Sequence, residues 1–193
     1  GHGLSIAGGM AMGLRMDGLD SKVYVIMGDG ELAEGSNWEA AAAVSHHRLD
    51  NLLVFVDRNT LQISGPTVQV MSYEPLDRRW EAFGWSVKEI NGHDMGQIVE
   101  TTRSIPFEEG KPSVIIANTI KSKGIPFAEG KVNFHYWKAT PEEIAQAEKD
   151  LEEIKNKLGR AQEEREELKE HLYRAEIERH SLEKDLKQGT EAF

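Results

Sequence analysis

Residues 23–30, Val23-Tyr24-Val25-Ile26-Met27-Gly28-Asp29-Gly30, decide the fold. Apolar residues run without interruption and then stop at Gly-Asp-Gly. A continuous run, rather than an alternating one, suits a strand buried on both faces of a parallel sheet. Working outward, Leu52-Leu53-Val54-Phe55-Val56 repeats the pattern and ends in Asp57-Arg58-Asn59. The same reading places strands at 23–27, 52–57, 86–90 and 113–118, with helices near 4–16, 36–48, 75–83 and 94–104. Repeated strand–helix alternation predicts an α/β fold with a doubly wound, mainly parallel sheet. In such sheets ligands bind beyond the carboxyl ends of the strands, so the loops after the first two strands are where to look.

The chain has 193 residues, 39% hydrophobic and 29% charged, with a net charge of −10. That charge argues against nucleic acid and anionic membrane surfaces as partners. No run approaches the ~18 apolar residues of a membrane span, and no secretory leader pattern opens the sequence. Cysteine is absent, which excludes disulfides and thiolate metal sites and fits a cytoplasmic protein.

Composition changes near residue 140. Before it lie 16 of the 18 glycines and all four tryptophans. After it the sequence is rich in Glu, Lys, Leu and Ala. We expect an α/β domain over 1–140, a heptad-repeat helix over 141–188 and a tail over 189–193. Ile144, Leu151, Leu158, Arg165, Leu172, Arg179 and Leu186 share one heptad position. Ala147, Ile154, Ala161, Leu168, Ala175 and Leu182 fall three residues later. Such an a/d pattern predicts a coiled-coil-like helix, an oligomerisation arm or partner-docking element. The plainer alternative is a helix folded back on its own domain. Arg165, Arg179 and Gly159 weaken the pattern.

Asp29, between two glycines at a strand's carboxyl end, is placed to hold a hard cation such as Mg²⁺, which prefers oxygen ligands. The glycines allow a tight turn and let backbone N–H groups approach an anion. Ser36-Asn37-Trp38-Glu39 reads as a capping box that opens the next helix. Asn59 lies 30 positions after Asp29, about the span of loop, helix and strand. Neighbouring parallel strands then deliver a carboxylate and an amide oxygen to one point, with the Leu61 carbonyl two residues further on. Taken singly, Gly-Asp-Gly is an ordinary turn and Asn59 a strand-terminating residue; the pair at this spacing carries the signal.

With these residues in place, the sequence resembles the thiamine-diphosphate enzymes, and transketolase in particular. The matching words are GLSIA (3–7), GDGELAEGSNWEA (28–40), LDNLLVFVDRNTLQISGPT (49–67), AFGW (82–85), NGHD (91–94), KPSVIIANTIKSKGIPF (111–127) and a late His135. The resemblance covers residues 1–140. It implies thiamine diphosphate with Mg²⁺ (or Ca²⁺ or Mn²⁺), with Asp29, Asn59 and the Leu61 carbonyl as metal ligands. The implied cofactor-binding set is Gly28, Asp29, Gly30, Glu31, Asn59, His135 and His2. Glu34 matches the acidic residue that joins two cofactor-binding halves, and His135 the histidine that faces diphosphate and substrate. The family usually places Gly after that histidine; here Tyr136-Trp137 follow.

The activity implied is transfer of a two-carbon ketol unit from a ketose phosphate to an aldose phosphate. Nothing here resembles the family's pyrimidine-binding domain, so the expected partner is a separate pyrimidine-binding C-terminal subunit, in a homo- or hetero-oligomer. The sequence opens within a motif that the family reaches only after a longer segment, so a truncated chain is expected over a minimal variant. Two alternatives stand beside this reading: a deoxyxylulose-phosphate-synthase-like enzyme, and a non-catalytic cofactor-binding domain serving as a coiled-coil assembly module.

Overall fold

The computed structural model describes residues 1–190. Helix α1 (Gly3–Met16) leads into strand β1 (Val23–Gly28), a 3₁₀ turn (Gly30–Ala33) and α2 (Gly35–His46). Then follow β2 (Leu52–Arg58), a small hairpin of β3 (Leu61–Gln62) and β4 (Gly65–Pro66), and the single turn α3 (Thr67–Val70). Next come α4 (Leu76–Ala82), β5 (Ser86–Asn91), α5 (Met95–Arg103) and β6 (Ser113–Asn118). A second 3₁₀ turn (Val132–Phe134) precedes α6 (Pro141–Thr190).

The main sheet runs β1-β2-β6-β5 with every neighbour parallel. Gly28 pairs with Asp57, Arg58 with Asn118, and Asn118 with Asn91, so the four carboxyl ends form one rim. Alternation along the strands sorts side chains to two faces. Leu52, Val54, Val56, Val114 and Ile116 pack under α1, α2 and α4. Leu53, Ile115, Ala117 and Ile90 pack on the other face, with Ile98 of α5 against them. Helices on both faces make this the doubly wound α/β layer expected from the alternation of patterns.

Packing on the first face is close. A Cβ on Gly8 of α1 would stand 2.8 Å from Val44 Cγ2 of α2, so glycine there sets the approach of the two helices. Trp80 is fully buried and meets Trp85 at 4.9 Å and Trp38 at 5.4 Å between ring centroids. The Trp85 indole N–H donates to the Ala41 carbonyl, which satisfies a buried donor and ties the start of β5 to α2.

Two expectations need correction. Burial on both faces holds for the apolar residues of β6 and nearly so for β2, but not for β1. Tyr24 and Ile26 of β1 are 52% and 76% exposed. β1 is an edge strand, and the second-face core gathers over β2, β6 and β5. The capping box at Ser36 does not form. α2 starts at Gly35 with Glu34 at its N-cap and no side-chain cap, and the Ser36 hydroxyl donates to Gly1 O instead. The physical reason is that the 3₁₀ turn runs directly into the helix: Asn37 N donates to Glu34 O, which starts the helix one residue early.

The first compact unit is Gly1–Lys138 and the second begins at Ala139. In the second, α6 opens with a true capping box: Thr140 N donates to Glu143 Oε2 and Glu143 N to Thr140 Oγ1, with Pro141 at the first helical position. Its heptad residues Ile144, Leu151, Ile154, Leu158, Leu168 and Leu172 are all exposed, at 47–68%. The side chains at heptad positions Leu182 and Leu186, and residues 191–193 of the expected tail, lie outside the described residues. Among the described residues no helix is long and apolar enough to cross a membrane.

Candidate functional site

At the carboxyl rim, a recess of about 660 Å³ opens between the ends of β1 and β2 and the β3–β4 hairpin. Gly28, Asp29, Gly30, Glu31, Glu34, Asn59, Leu61 and His135 all line it. Eight of the nine predicted site residues thus converge from three separate segments. His2 does not line it; this residue is exposed and caps α1, accepting the Ile6 N–H on its carbonyl.

Asp29 is 8% exposed. Its carboxylate accepts the Gly30 N–H at 2.7 Å and the Thr60 N–H at 2.6 Å. Burial pushes its pKa above the ordinary value and the nearby Asp57 charge adds to this, against the two N–H bonds and the Arg58 charge. A buried carboxylate raised in this way gains from any cation that replaces its lost hydration. Thr60 takes the left-handed backbone (φ 63°), an outlier for a β-branched residue, and that conformation is the one in which its N–H reaches Asp29.

Asn59 presents its amide in a fixed sense. Its Nδ2 donates to Asp57 Oδ2 at 3.2 Å, and its Oδ1 accepts the Leu61 N–H at 3.0 Å. A carboxylate can only accept and an N–H can only donate, so both partners agree on which end is oxygen. Pro66 stands opposite Leu61 in the hairpin. Lacking an N–H, it cannot occupy the Leu61 carbonyl at that ladder position. Among the described residues no three His, Asp or Glu side chains converge as a metal cage. The set here is one carboxylate, one amide oxygen and one carbonyl, all hard oxygens, which suits a Mg²⁺ ion that keeps further positions for phosphate or water.

The 3₁₀ turn that carries Glu31 is held from below. Fully buried Asn37 donates to Glu31 O at 2.7 Å, and the Trp38 indole N–H donates to Leu32 O at 2.8 Å. Glu31 Oε2 accepts the Gly28 N–H at 3.3 Å and Oε1 accepts the Gly1 amino group at 2.9 Å. Gly30 is required by its neighbour: a Cβ there would stand 2.7 Å from Gln62 Cβ. His135 follows the second 3₁₀ turn, with Tyr136 edge-on at 5.3 Å. Its Nδ1 is buried and has no hydrogen-bond partner.

Sequence reasoning missed a second recess of about 460 Å³ on the other side of Asn59, lined by Asp57, His93, Thr119, Lys121 and Lys123 among others. His93 Nε2 accepts the Ile120 N–H at 2.7 Å, and Thr119 Oγ1 donates to Asp57 Oδ1. The available signal was positional: NGHD and TIKSK each directly follow a strand of the sheet, β5 and β6.

Known proteins resemble this chain in sequence and in fold. Residues 9–191 match the family described as transketolase, thiamine diphosphate binding domain. The chain is 48% identical over 158 residues to an apulose-4-phosphate transketolase subunit of Phocaeicola vulgatus, covering 82% of this chain and 56% of that protein. It is 45% identical over 152 residues to a 6-deoxy-6-sulfo-D-fructose transketolase subunit of Clostridium sp., covering 79% and 55%. It thus spans about half the length of these curated relatives. The crystal structure of transketolase from Campylobacter jejuni superposes with a TM-score of 0.71 at 32% identity, covering 77% of this chain and 24% of that one. By the family match, these relatives and its fold, the chain belongs to the transketolase family, as its thiamine-diphosphate-binding domain.

Proposed function

We propose that this chain is the diphosphate- and cation-binding part of a split transketolase, active with a pyrimidine-binding partner subunit. The observation that carries the reading is the convergence of Asp29, Asn59, Leu61 and His135 on one recess at the rim. Relatives that are themselves named as single subunits of transketolases support the division into two chains. The reaction is transfer of a two-carbon ketol unit between sugar phosphates, and thiamine diphosphate, when bound, supplies the electron sink for the carbon–carbon bond change.

This chain's residues bind and orient. Asp29, Asn59 and the Leu61 carbonyl would hold Mg²⁺, which would supply positive charge to the diphosphate oxygens. The Gly30 N–H, which donates to Asp29 Oδ1 at 2.7 Å, would be the backbone donor nearest a bound diphosphate. His135, which lines the recess, would stand on the diphosphate and substrate side, and Glu34, exposed at the N-cap of α2, would meet the partner half. The exposed heptad face of α6 serves as the assembly arm.

Calorimetry tests the reading. Thiamine diphosphate should bind this chain with Mg²⁺, either by itself or once a transketolase C-terminal subunit is supplied, and binding should vanish with chelator. Absence of binding with both Mg²⁺ and that subunit present would overturn it.

A further inference from the structure

We infer that Asp57 is a positioning residue for the cation site, acting through Asn59. The inference rests on the reading that Asp29 and Asn59 hold the metal. Asp57 lies one residue before the end of β2, beside Gly28 of β1 and Ala117 of β6, and does not line the main recess. Its backbone carbonyl accepts the Asp29 N–H at 3.1 Å. Its carboxylate is divided: Oδ2 accepts Asn59 Nδ2 at 3.2 Å, and Oδ1 accepts the Thr119 hydroxyl. One side chain thus orients the amide of one proposed ligand while its main chain anchors the other.

The consequence follows from the chemistry of an amide. Asn59 can present either oxygen or NH₂ towards a ligand, and only the oxygen binds a hard cation. Leu61 N–H takes one lone pair of Oδ1 and leaves the second for the metal. The Asp57 bond on the opposite end holds the amide against rotation. Thr119 in turn holds the Asp57 carboxylate and starts the segment that leads to His135. Partners that orient a metal ligand in this manner contribute about 10–100-fold to metal affinity.

The test uses Mn²⁺ as probe on the full chain, with affinity read by electron paramagnetic resonance and folding checked by circular dichroism. The native chain should bind, by itself or with thiamine diphosphate and a transketolase C-terminal subunit supplied, and Asp29→Ala should not; if the native chain fails to bind under both conditions, the metal-site reading falls and this inference with it. Given native binding, Asp57→Ala should weaken Mn²⁺ by about 10-fold or more. Asp57→Asn, which keeps an acceptor for Nδ2, should stay within a few-fold of native. Native affinity in Asp57→Ala overturns the inference and leaves the metal site standing. Equal losses in the Ala and Asn variants also overturn it, because the charge and not the hydrogen bond would then be responsible. Should Asp57→Ala fail to fold, Thr119→Val removes the other tie on the carboxylate and should lower affinity in the same direction; unchanged binding there overturns the inference.

Discussion

At the scale of single residues, the site is recognised by polar groups that serve the fold poorly. Asp29 is a buried carboxylate with its pKa pushed up, Thr60 holds a costly left-handed backbone, and His135 Nδ1 is buried without a partner. Each costs stability, and all three adjoin one recess. His135 is the residue whose role is most open to direct trial. In the enzyme reconstituted with a pyrimidine-binding subunit, His135→Ala should lower kcat by about 10²-fold or more, the scale of a lost proton-transfer or electrostatic contact. Stability should change little, since Nδ1 makes no bond to lose. Wild-type kinetics in that variant would return His135 to the status of a loop histidine. That Asp29 and Asn59 meet at one recess was legible from their spacing after predicted strands, whereas His135 was marked only by the resemblance to transketolase. Asp57 and His93 were not, because their significance lies in hydrogen bonds between segments distant in sequence.

At the scale of elements, the deciding feature is how few supports the second face of the sheet has. α5 is the helix against the Leu53, Ile115 and Ile90 cluster, and its start depends on Asp94. The Asp94 carboxylate accepts the Gln97 N–H at 3.1 Å and the Gln97 side-chain amide at 3.0 Å. These bonds hold its pKa below the ordinary value. A folded-state pKa below the unfolded one adds stability that is present above about pH 3.9 and lost as pH falls through the depressed value. Asp94→Ala should therefore destabilise the chain at neutral pH, and the gap to the native chain should close as denaturation is repeated towards pH 3. A gap that does not change with pH would contradict this account. Among the four strands of the main sheet, β2 and β6 were readable from unbroken apolar runs, because a strand buried on both faces needs one. β1 carries a like run despite its exposed face, and β5 and four of the helices were readable from the alternation of patterns around them. The 3₁₀ turn at Gly30–Ala33 and the β3–β4 hairpin were not. Their shape is dictated by tertiary bonds from Asn37 and Trp38 and by the close approach of Gln62 to Gly30, which no local pattern announces.

At the scale of the whole molecule, α6 makes the sharpest demand for a partner. Its 50 residues extend about 75 Å at 1.5 Å per residue. Its own i,i+3 and i,i+4 ion pairs, such as Lys169 with Glu166 and Arg174 with Glu170, are exposed and screened by solvent, so they contribute little. The exposed stripe through Ile144, Leu151, Leu158 and Leu172 is then the principal source of further stabilisation, and the assembly reading covers it with another chain. In a parallel pair, heptad flanks would set Asp150 against Lys155 and Glu164 against Lys169 of the second copy, while Glu143 would meet Glu148. Glu178 and Glu183 stand in the same relation, so opposite- and like-charge pairs are equal in number along these flanks and do not by themselves set the direction of pairing. Arg165 at a core position costs stability but suits a two-stranded coil, where its head can reach water. Removal of residues 144–193 should lower the mass seen by light scattering from dimer to monomer. The native chain has no cysteine, so Leu158→Cys supplies a single thiol at a position that faces its own copy only in a parallel, in-register pair. Oxidation should then give a disulfide-linked dimer on a non-reducing gel. A dimer by light scattering that fails to cross-link would mean an antiparallel arrangement, and a monomeric native chain would mean that α6 waits for a different protein.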